Sequence, residues 1–489
     1  MKQPTGALLP SFETPLETGA PLHLQIYRRI RGSVLAGVLA PGSRLPSTRT
    51  LALDLGVSRT TAEEAFAQLE AEGFLVRRVG DGTYVALPDA PAKPARKTPR
   101  TAQVAGRRDL SARGRVLAGH HILPEPQNIR AFEGGLPALE AFPLDTWNRL
   151  LARRLRRSGR ELLGYGPPAG HGPLREAVAA YLGTSRGVVC TPAQVVILTS
   201  SQQALDLAAR LLLDPGDDAW MEEPGYPGAR AALAAAGARI VPVPVDETGL
   251  DVARGEALAP MARLVYVTPS HQFPLGVTAS LERRLALLAW AERAGAWIVE
   301  DDYNSEFRYT GRPLAAIQGL DATGRVLYVG TFTKSMFPSL RLAYLVAPED
   351  LVGAFVRARM LQDGHTPTLP QAVLADFIAE GHFGAHIRRM RSLYQSRREA
   401  LLDEAARALP RHVTLGPSEA GFHVTAHLPE GTDDRAVQRR AAERGIEVQP
   451  LTRYYAGPEA RPGLVLGYVG LSEEAIRAGV RGLAGVLTP

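Results

Sequence analysis

Cysteine is nearly absent: Cys190 is the only one among 489 residues. One thiol cannot close an internal disulfide or build a zinc or iron–sulfur site, so a disulfide-stapled scaffold is excluded. No metal is expected, and a reducing cytoplasmic setting fits best. Long apolar runs are missing as well. No stretch of about 18 consecutive apolar residues occurs, and Met1–Gly19 lacks a basic segment leading into an apolar core, so neither a membrane span nor a secretion signal is expected. What is present is ordinary for a globular chain: 45% hydrophobic and 22% charged residues, enough to bury substantial cores. A chain of this length is expected to form two or three domains.

The formal net charge is +6, yet most of the chain is balanced. Residues 1–87 carry nine Lys/Arg against eight Asp/Glu, and the 374 residues after position 115 carry 39 against 40. The excess sits in residues 88–115, which hold eight bases, two acids and four prolines. Few large apolar residues interrupt that stretch, so it reads as an extended linker rather than a packed element. The expected organisation is a head, residues 1–87, a basic Pro-rich linker, 88–120, and a body, 121–489. A solvated tether is the favoured reading of the linker, with weak steering toward nucleic acid as a by-product; nonspecific phosphate contact is the alternative.

In the head, Leu22, Ile26, Ile30, Val34 and Val38 recur every four residues, marking one face of a helix that ends before Pro41-Gly42. Ser47 can cap a short helix with Leu51, Ala52 and Leu55 inward and Gly56 closing it. Ser58 can cap the next, with Ala62, Ala65, Phe66 and Leu69 inward and Gly73 as its stop. Phe74–Arg78 and Thr83–Ala86 then flank Gly80-Asp81-Gly82, a hairpin signal. A helix-turn-helix with a wing lays its second helix in the major groove of double-stranded DNA. Arg59, Thr60 and Thr61, following the cap Ser58, are the candidate base-edge or backbone contacts. Arg44, Ser47 and Arg49 are placed to reach phosphates, and Gly82 and Thr83 to approach through the wing. A helical module serving only oligomerisation or protein contact has the same spacing. The string Leu45-Pro46-Ser47-Thr48-Arg49-x-Leu51-Ala52, then Gly56-Val57-Ser58-Arg59-Thr60-Thr61 and Gly82-Thr83-Tyr84-Val85, resembles the winged-helix head of GntR-type bacterial regulators. That resemblance favours DNA binding.

The body alternates apolar β-rich segments, Val195–Leu198, Leu264–Val267, Trp297–Val299 and Val326–Val329, with Ala/Leu/Arg-rich helical stretches. This is the pattern of an α/β domain with a mainly parallel sheet, whose ligands sit beyond the carboxyl ends of the strands. Three of those ends are polar. Thr199-Ser200-Ser201-Gln202-Gln203 precedes a helix and suits an anion, although Ser/Thr caps are common. Asp301 and Tyr303 lie two apart in Glu300-Asp301-Asp302-Tyr303, where solvated charges are equally ordinary. Gly330-Thr331-Phe332-Thr333-Lys334 is followed by Arg341; a lysine there can form a Schiff base while Thr331, Thr333 and Arg341 hold a phosphate, whereas a lone lysine is usually a surface charge.

Together with Gly164-Tyr165-Gly166-Pro167, these sites resemble fold-type I pyridoxal-phosphate enzymes of the aminotransferase group. The resemblance implies that Lys334 carries pyridoxal 5′-phosphate as a Schiff base, that Asp301 pairs with the pyridine nitrogen, and that Tyr303 hydrogen-bonds the ring hydroxyl. Ser201, Gln202, Thr331, Thr333 and Arg341 would bind the phosphate, Tyr226 would stack on the ring, and Tyr165 would reach the phosphate of a neighbouring subunit, implying a homodimer. Two places depart from that pattern. Where aminotransferases carry Asn-Pro-x-Gly, this chain has His271-Gln272-Phe273-Pro274-Leu275-Gly276, leaving His271 or Gln272 to replace the lost hydrogen bond. Where they place a carboxylate-gripping arginine before a late strand, Pro462-Gly463-Leu464-Val465-Leu466-Gly467 supplies leucine, and Arg453 and Arg461 stand nearby without an assignment.

A GntR-type head joined by a basic linker to an aminotransferase-like body resembles the MocR family of transcriptional regulators over nearly the whole chain. The strings Ser270–Pro274, Glu300–Tyr309 and Gly381-His382-Phe383 through His386–Arg391 to Tyr394 carry that likeness. It implies a head-to-tail dimer whose DNA binding responds to pyridoxal phosphate and to an amino acid or amine effector. Vitamin B6 genes are the favoured target, and an amino-acid or amine catabolic operon the runner-up. The alternative is a working aminotransferase with a regulatory head. Asp301, Tyr303 and Lys334 keep that chemistry open, and the unassigned carboxylate arginine weighs against turnover.

Overall fold

The computed structural model describes residues 19–86, 109–119, 132, 135–311 and 315–488. The chain divides into two compact units, 1–108 and 109–489. Most of the expected linker, residues 88–108 and 120, lies outside the described residues, as do positions 121–131 of the expected body. Among the described residues, no helix is long and apolar enough to cross a membrane.

The head contains α1 (Leu22–Leu35), α2 (Thr48–Leu55) and α3 (Arg59–Ala71), with β1 (Arg44–Leu45), β2 (Leu75–Arg78) and β3 (Gly82–Val85) in the order β1-β3-β2. Ile26, Ile30 and Val34 of α1 pack with Leu51, Ala65, Phe66, Leu69, Leu75 and Val85 in one core. Both helices of the turn are capped as their sequences predict: the Ser47 hydroxyl accepts from Thr50 N and the Ser58 hydroxyl from Thr61 N, each at 3.1 Å. Gly56, at φ 63°, ends α2 in the left-handed conformation. The first helix is shorter than its four-residue repeat suggests. It stops at Leu35, because Gly37 takes φ 76°, and the chain turns so that Leu39 enters the core while Val38 is 57% exposed. β1 has no signal in its two residues; it exists because Arg44 and Leu45 pair with Tyr84 and Thr83.

The body is built on an eight-stranded sheet. Its strands are β4 (Val195–Leu198), β5 (Asp218–Glu223), β6 (Arg239–Asp246), β7 (Gly249–Leu250), β8 (Leu264–Val267), β9 (Trp297–Asp302), β10 (Val326–Thr331) and β11 (Ala343–Val346), in the order β4-β11-β10-β9-β8-β5-β6-β7. Neighbours from β10 through β6 pair in parallel, while β7 and β11 run against them. Both faces are covered, which is why β4 reads as an unbroken apolar run. Val195 and Ile197 join one core with Tyr328 and Tyr344; Val196 and Leu198 join another with Leu327 and Val329. Truncating a wholly buried residue such as Leu327 to alanine would cost about 2–5 kcal/mol. The covering helices include α5 (Leu144–Leu162), α6 (Gly172–Arg186), α7 (Ser201–Leu212), α8 (Pro227–Ala236), α9 (Val252–Leu258), α10 (Leu281–Ala294), the single turn α11 (Phe332–Ser335), α12 (Glu349–Asp363), α13 (Thr368–Ala379) and α14 (His382–Ala408), whereas α4 (Ala112–Ala118) lies along α8 and buries none of its residues.

The helix α4 falls within the stretch expected to be extended. Ser111 caps it, accepting from Gly114 N at 3.0 Å, and the Arg115 side chain returns to Leu110 O at 2.7 Å, so local hydrogen bonding organises a segment that lacks proline. A smaller antiparallel sheet closes the C-terminal part: β12 (Thr414–Leu415), β13 (His423–His427), β14 (Gln449–Pro450) and β15 (Gly463–Gly467), ordered β12-β13-β15-β14, with α15 (Asp434–Glu443) and α16 (Glu473–Leu487).

Candidate functional site

The parallel register brings the ends of β8, β9 and β10 to one edge of the large sheet, with Val329 opposite Asp301 and Val267 opposite Glu300. Lys334 sits one turn beyond β10, on α11, whose start is fixed by the Thr331 hydroxyl accepting from Thr333 N at 3.1 Å. Its ammonium donates to the Gly135 carbonyl at 2.7 Å. Burial pushes the amine down to about 8, against the pull of the Asp301 charge. Asp301 is itself buried. Its Oδ2 accepts from the Tyr266 hydroxyl at 2.9 Å, while Oδ1 meets no partner among the described residues. Burial raises this carboxyl to about 7, a rise that the Tyr266 hydrogen bond opposes and the Asp302 charge reinforces.

Tyr303, just past β9, places its hydroxyl 3.1 Å from His271 O and 2.9 Å from His271 Nδ1. The Asn304 amide also faces Nδ1, at 3.3 Å, while Nε2 is buried without a partner among the described residues. Burial, then the neighbouring His423, holds His271 neutral by pushing it well below the ordinary histidine value. Of the two candidates for the lost asparagine contact, the structure puts His271 against Tyr303. Gln272 is committed elsewhere: its amide nitrogen donates to Pro224 O at 2.8 Å and Phe273 O at 2.7 Å, and its oxygen accepts from Leu275 N at 3.1 Å. It clamps the loop backbone and has no donor left for a ligand.

At the end of β4, Ser200 caps α7 by accepting from Gln203 N at 3.1 Å, leaving Ser201 and Gln202 in the first turn, where backbone N–H groups have no intrahelical acceptor. The Gln202 side chain donates to Gly228 O at 2.8 Å, and its oxygen is buried without a partner among the described residues. Tyr226, half-buried before α8, meets Phe273 edge-on with ring centroids 5.9 Å apart. Thr333 is half-buried and Arg341 exposed; Arg341 adopts φ 51°, a left-handed conformation costly for a residue with a side chain. Tyr165 is 101% exposed, so its ring has no place in its own chain's core. Leu464 is wholly buried in β15, Arg453 donates to Gln449 at 2.9 Å, and Arg461 is exposed.

Several contributors are invisible to motif reading. Tyr266 sits inside an apolar strand, and only the register with β9 shows that it supports Asp301. Gly135 has φ 88°, and a Cβ there would lie 2.6 Å from Lys334 Nζ. Beneath Asp301, the buried Arg186 pairs with Asp302 at 2.8 Å, and Tyr328 and Ser305 donate to the same carboxylate oxygen at 2.6 and 2.8 Å. Adjacent acids in the β9 sequence therefore face opposite ways, one to the site and one to a structural pair.

In the head, Arg59 and Thr60 open α3 on its exposed side, and Arg59 reaches Glu63 at 3.6 Å. Thr61 is half-buried, its hydroxyl 2.8 Å from that of Ser58. Arg49 is exposed at the start of α2. Arg44 lies under the wing, where a Cβ on Gly82 would come within 2.9 Å of its Nε; Thr83 is half-buried beside it.

Residues 22–85 match the family of bacterial regulatory proteins named gntR, and residues 138–478 match aminotransferase class I and II. The probable rhizopine catabolism regulatory protein MocR of Rhizobium meliloti is 44% identical over 96% of this chain and 94% of its own length. The chain belongs to the MocR-type regulators of the GntR superfamily. Another relative, the pyridoxine biosynthesis transcriptional regulator PdxR of Corynebacterium glutamicum, is 31% identical over 93% of each chain. The body also matches LysN, an α-aminoadipate aminotransferase of Thermus thermophilus complexed with N-(5′-phosphopyridoxyl)-L-leucine, with a TM-score of 0.69 and 34% identity over 73% of this chain and 92% of that one. Like other MocR-type proteins, this one is a helix-turn-helix transcriptional regulator that joins a winged helix to a fold-type I aminotransferase-like domain.

Proposed function

We propose that the body binds pyridoxal 5′-phosphate at Lys334 and that this binding alters the affinity of the head for an operator. The observation that carries the reading is Asp301: a buried carboxylate, electrostatically coupled to Lys334, with one oxygen satisfied by Tyr266 and the other open. An open, buried carboxylate oxygen fits a pyridine N–H. When bound, the group supplies an aldehyde that condenses with primary amines and a ring that withdraws electrons.

The chain's residues then divide the work. Asp301 would hold the proton on the ring nitrogen, and Tyr303, steadied by His271, would turn its single hydroxyl proton from the His271 carbonyl to the ring hydroxyl. Tyr226 covers the ring face. The amides of Ser201 and Gln202, with Thr331, Thr333 and Arg341, take the phosphate, Arg341 as the charged fork. The full exposure of Tyr165 supports its reaching a neighbouring subunit in a homodimer. Arg59, Thr60 and Thr61 contact the major groove, Arg44, Ser47 and Arg49 the phosphates, and Gly82 and Thr83 the flank, with Ser58 fixing the start of the helix. The head, linker and body divide near residues 87 and 120, and the protein works in the cytoplasm.

A ligand shifts DNA affinity only by binding the competing arrangements of the dimer unequally. The higher identity to the rhizopine catabolism regulator than to the pyridoxine regulator favours a catabolic operon, with an amine or amino acid as co-effector, over vitamin B6 genes. Borohydride reduction after incubation with pyridoxal phosphate tests the site. Label on Lys334 is the predicted result; no labelled lysine, or label only elsewhere, contradicts it.

A further inference from the structure

The Lys334 amine is held by the backbone of the segment that opens the body. Among the described residues, two side chains hydrogen-bond the backbone of Gly135–Ala138. Lys334 Nζ donates to Gly135 O at 2.7 Å, and the hydroxyl of Tyr394, on α14, accepts from Ala138 N at 3.0 Å. We propose that the Gly135–Ala138 loop reads the covalent state of Lys334, tied down by Nζ while the amine is free and let go when that nitrogen condenses with a carbonyl ligand. This inference rests on Lys334 being the amine that takes pyridoxal phosphate.

Condensation joins Nζ to the aldehyde carbon and expels the carbonyl oxygen as water, together with both N–H hydrogens of the neutral amine. No oxidant or reductant is required. Neither hydrogen stays on the nitrogen, so the Gly135 carbonyl loses its donor. The tie cannot be replaced in place. Gly135 holds φ 88°, and there is no room for a Cβ beside Nζ, so the carbonyl is presented to the lysine by a backbone that only glycine adopts without strain. The far side of the loop is fixed to different elements. Ala138 N is held by α14 through the Tyr394 hydroxyl, and Leu136 O packs against Gly470, beyond the end of β15, closely enough that a Cβ there would stand 3.0 Å away. The loop thus spans the lysine turn on one side and α14 with the end of β15 on the other. A change in one hydrogen bond alters how firmly it joins them.

Hydrogen exchange on the full-length protein reads this directly, with the Ala138 amide as reporter. Lys334→Met removes the donor while keeping most of the side chain's bulk. Without any ligand, it should speed exchange at Ala138 by about tenfold, the worth of one charge-assisted hydrogen bond. Pyridoxal phosphate should produce a comparable rise in the wild type and little further change in the variant. Gly135→Ala, which pushes Nζ off the carbonyl without altering the lysine, should exchange rapidly with and without pyridoxal phosphate. An unchanged Ala138 rate in ligand-free Lys334→Met, or a full response to pyridoxal phosphate in Gly135→Ala, overturns the inference. Borohydride labelling separates the two failures. An unlabelled Lys334 refutes the cofactor reading and this switch with it, whereas a labelled protein whose loop does not respond refutes the switch alone.

Discussion

Replacing Tyr266 with phenylalanine isolates the electrostatics of the site. The hydroxyl is buried and donates to Asp301 Oδ2 at 2.9 Å, so its loss leaves the carboxylate without its one described donor and removes little volume. Hydrogen bonds to charged groups contribute about 1.5–3 kcal/mol, or about 1–2 pKa units, all of it in favour of the ionised form. The Asp301 carboxyl, at about 7 in the wild type, should therefore titrate near 8–9 in the variant. At pH 7.5 its ionised fraction falls by about 3-fold to 25-fold, and affinity for pyridoxal phosphate falls with it, because the ring nitrogen is paired by the anion. The titration of Lys334 is common to both proteins and cancels in the ratio of their affinities. Absorbance titrations at pH 7.5 and at about pH 9.5 should show that ratio shrinking toward unity as Asp301 ionises in both. A ratio that is flat with pH, or equal affinities at pH 7.5, would refute the assignment of Asp301.

Two further substitutions test the frame around the site. Burial pushes His423 down to about 4, and its Nε2 lies 2.9 Å from Pro274 O. Its folded value lies below the ordinary one of about 6.5, so its contribution to stability is complete above pH 6.5 and is lost as pH falls toward 4, by about 3 kcal/mol in all. His423→Gln, which keeps a donor for Pro274, should flatten that acid limb in chemical denaturation; an unchanged limb counts against a buried neutral imidazole. Ser58→Ala removes the cap of α3 and should destabilise the head by about 0.5–2 kcal/mol, seen as faster amide exchange at Arg59–Ala62 and weaker operator binding. Unaltered exchange there would mean that the cap is not what starts the helix.

How much of this was legible in the sequence depends on the range of the interaction. Ser47, Ser58, Gly56 and Gly73 specify their helix ends within four residues, so the helix-turn-helix could be read directly, and the apolar runs of β4, β8, β9 and β10 announced a sheet buried on both faces. The end of α1 was misplaced because a four-residue repeat continues formally to Val38 while Gly37 turns the chain away. The two-residue strands β1, β7, β12 and β14 have no local signal and arise only from pairing. Within the site, strand-end position suggested Asp301, Tyr303 and Lys334. The partners of Gln272, by contrast, lie on Pro224 and Phe273 across a folded loop, and no spacing rule shows that its amide is used up. Tyr266 and Gly135 support the same site from 35 positions before Asp301 and 199 before Lys334, distances that only tertiary structure closes.

Operator binding measured with and without pyridoxal phosphate tests the central claim most directly, using the wild type beside Lys334→Met on the DNA upstream of the protein's own gene. Pyridoxal phosphate should shift the wild-type isotherm or footprint and leave the variant's unmoved. Identical wild-type binding in both conditions, or a variant that responds as the wild type does, would contradict it.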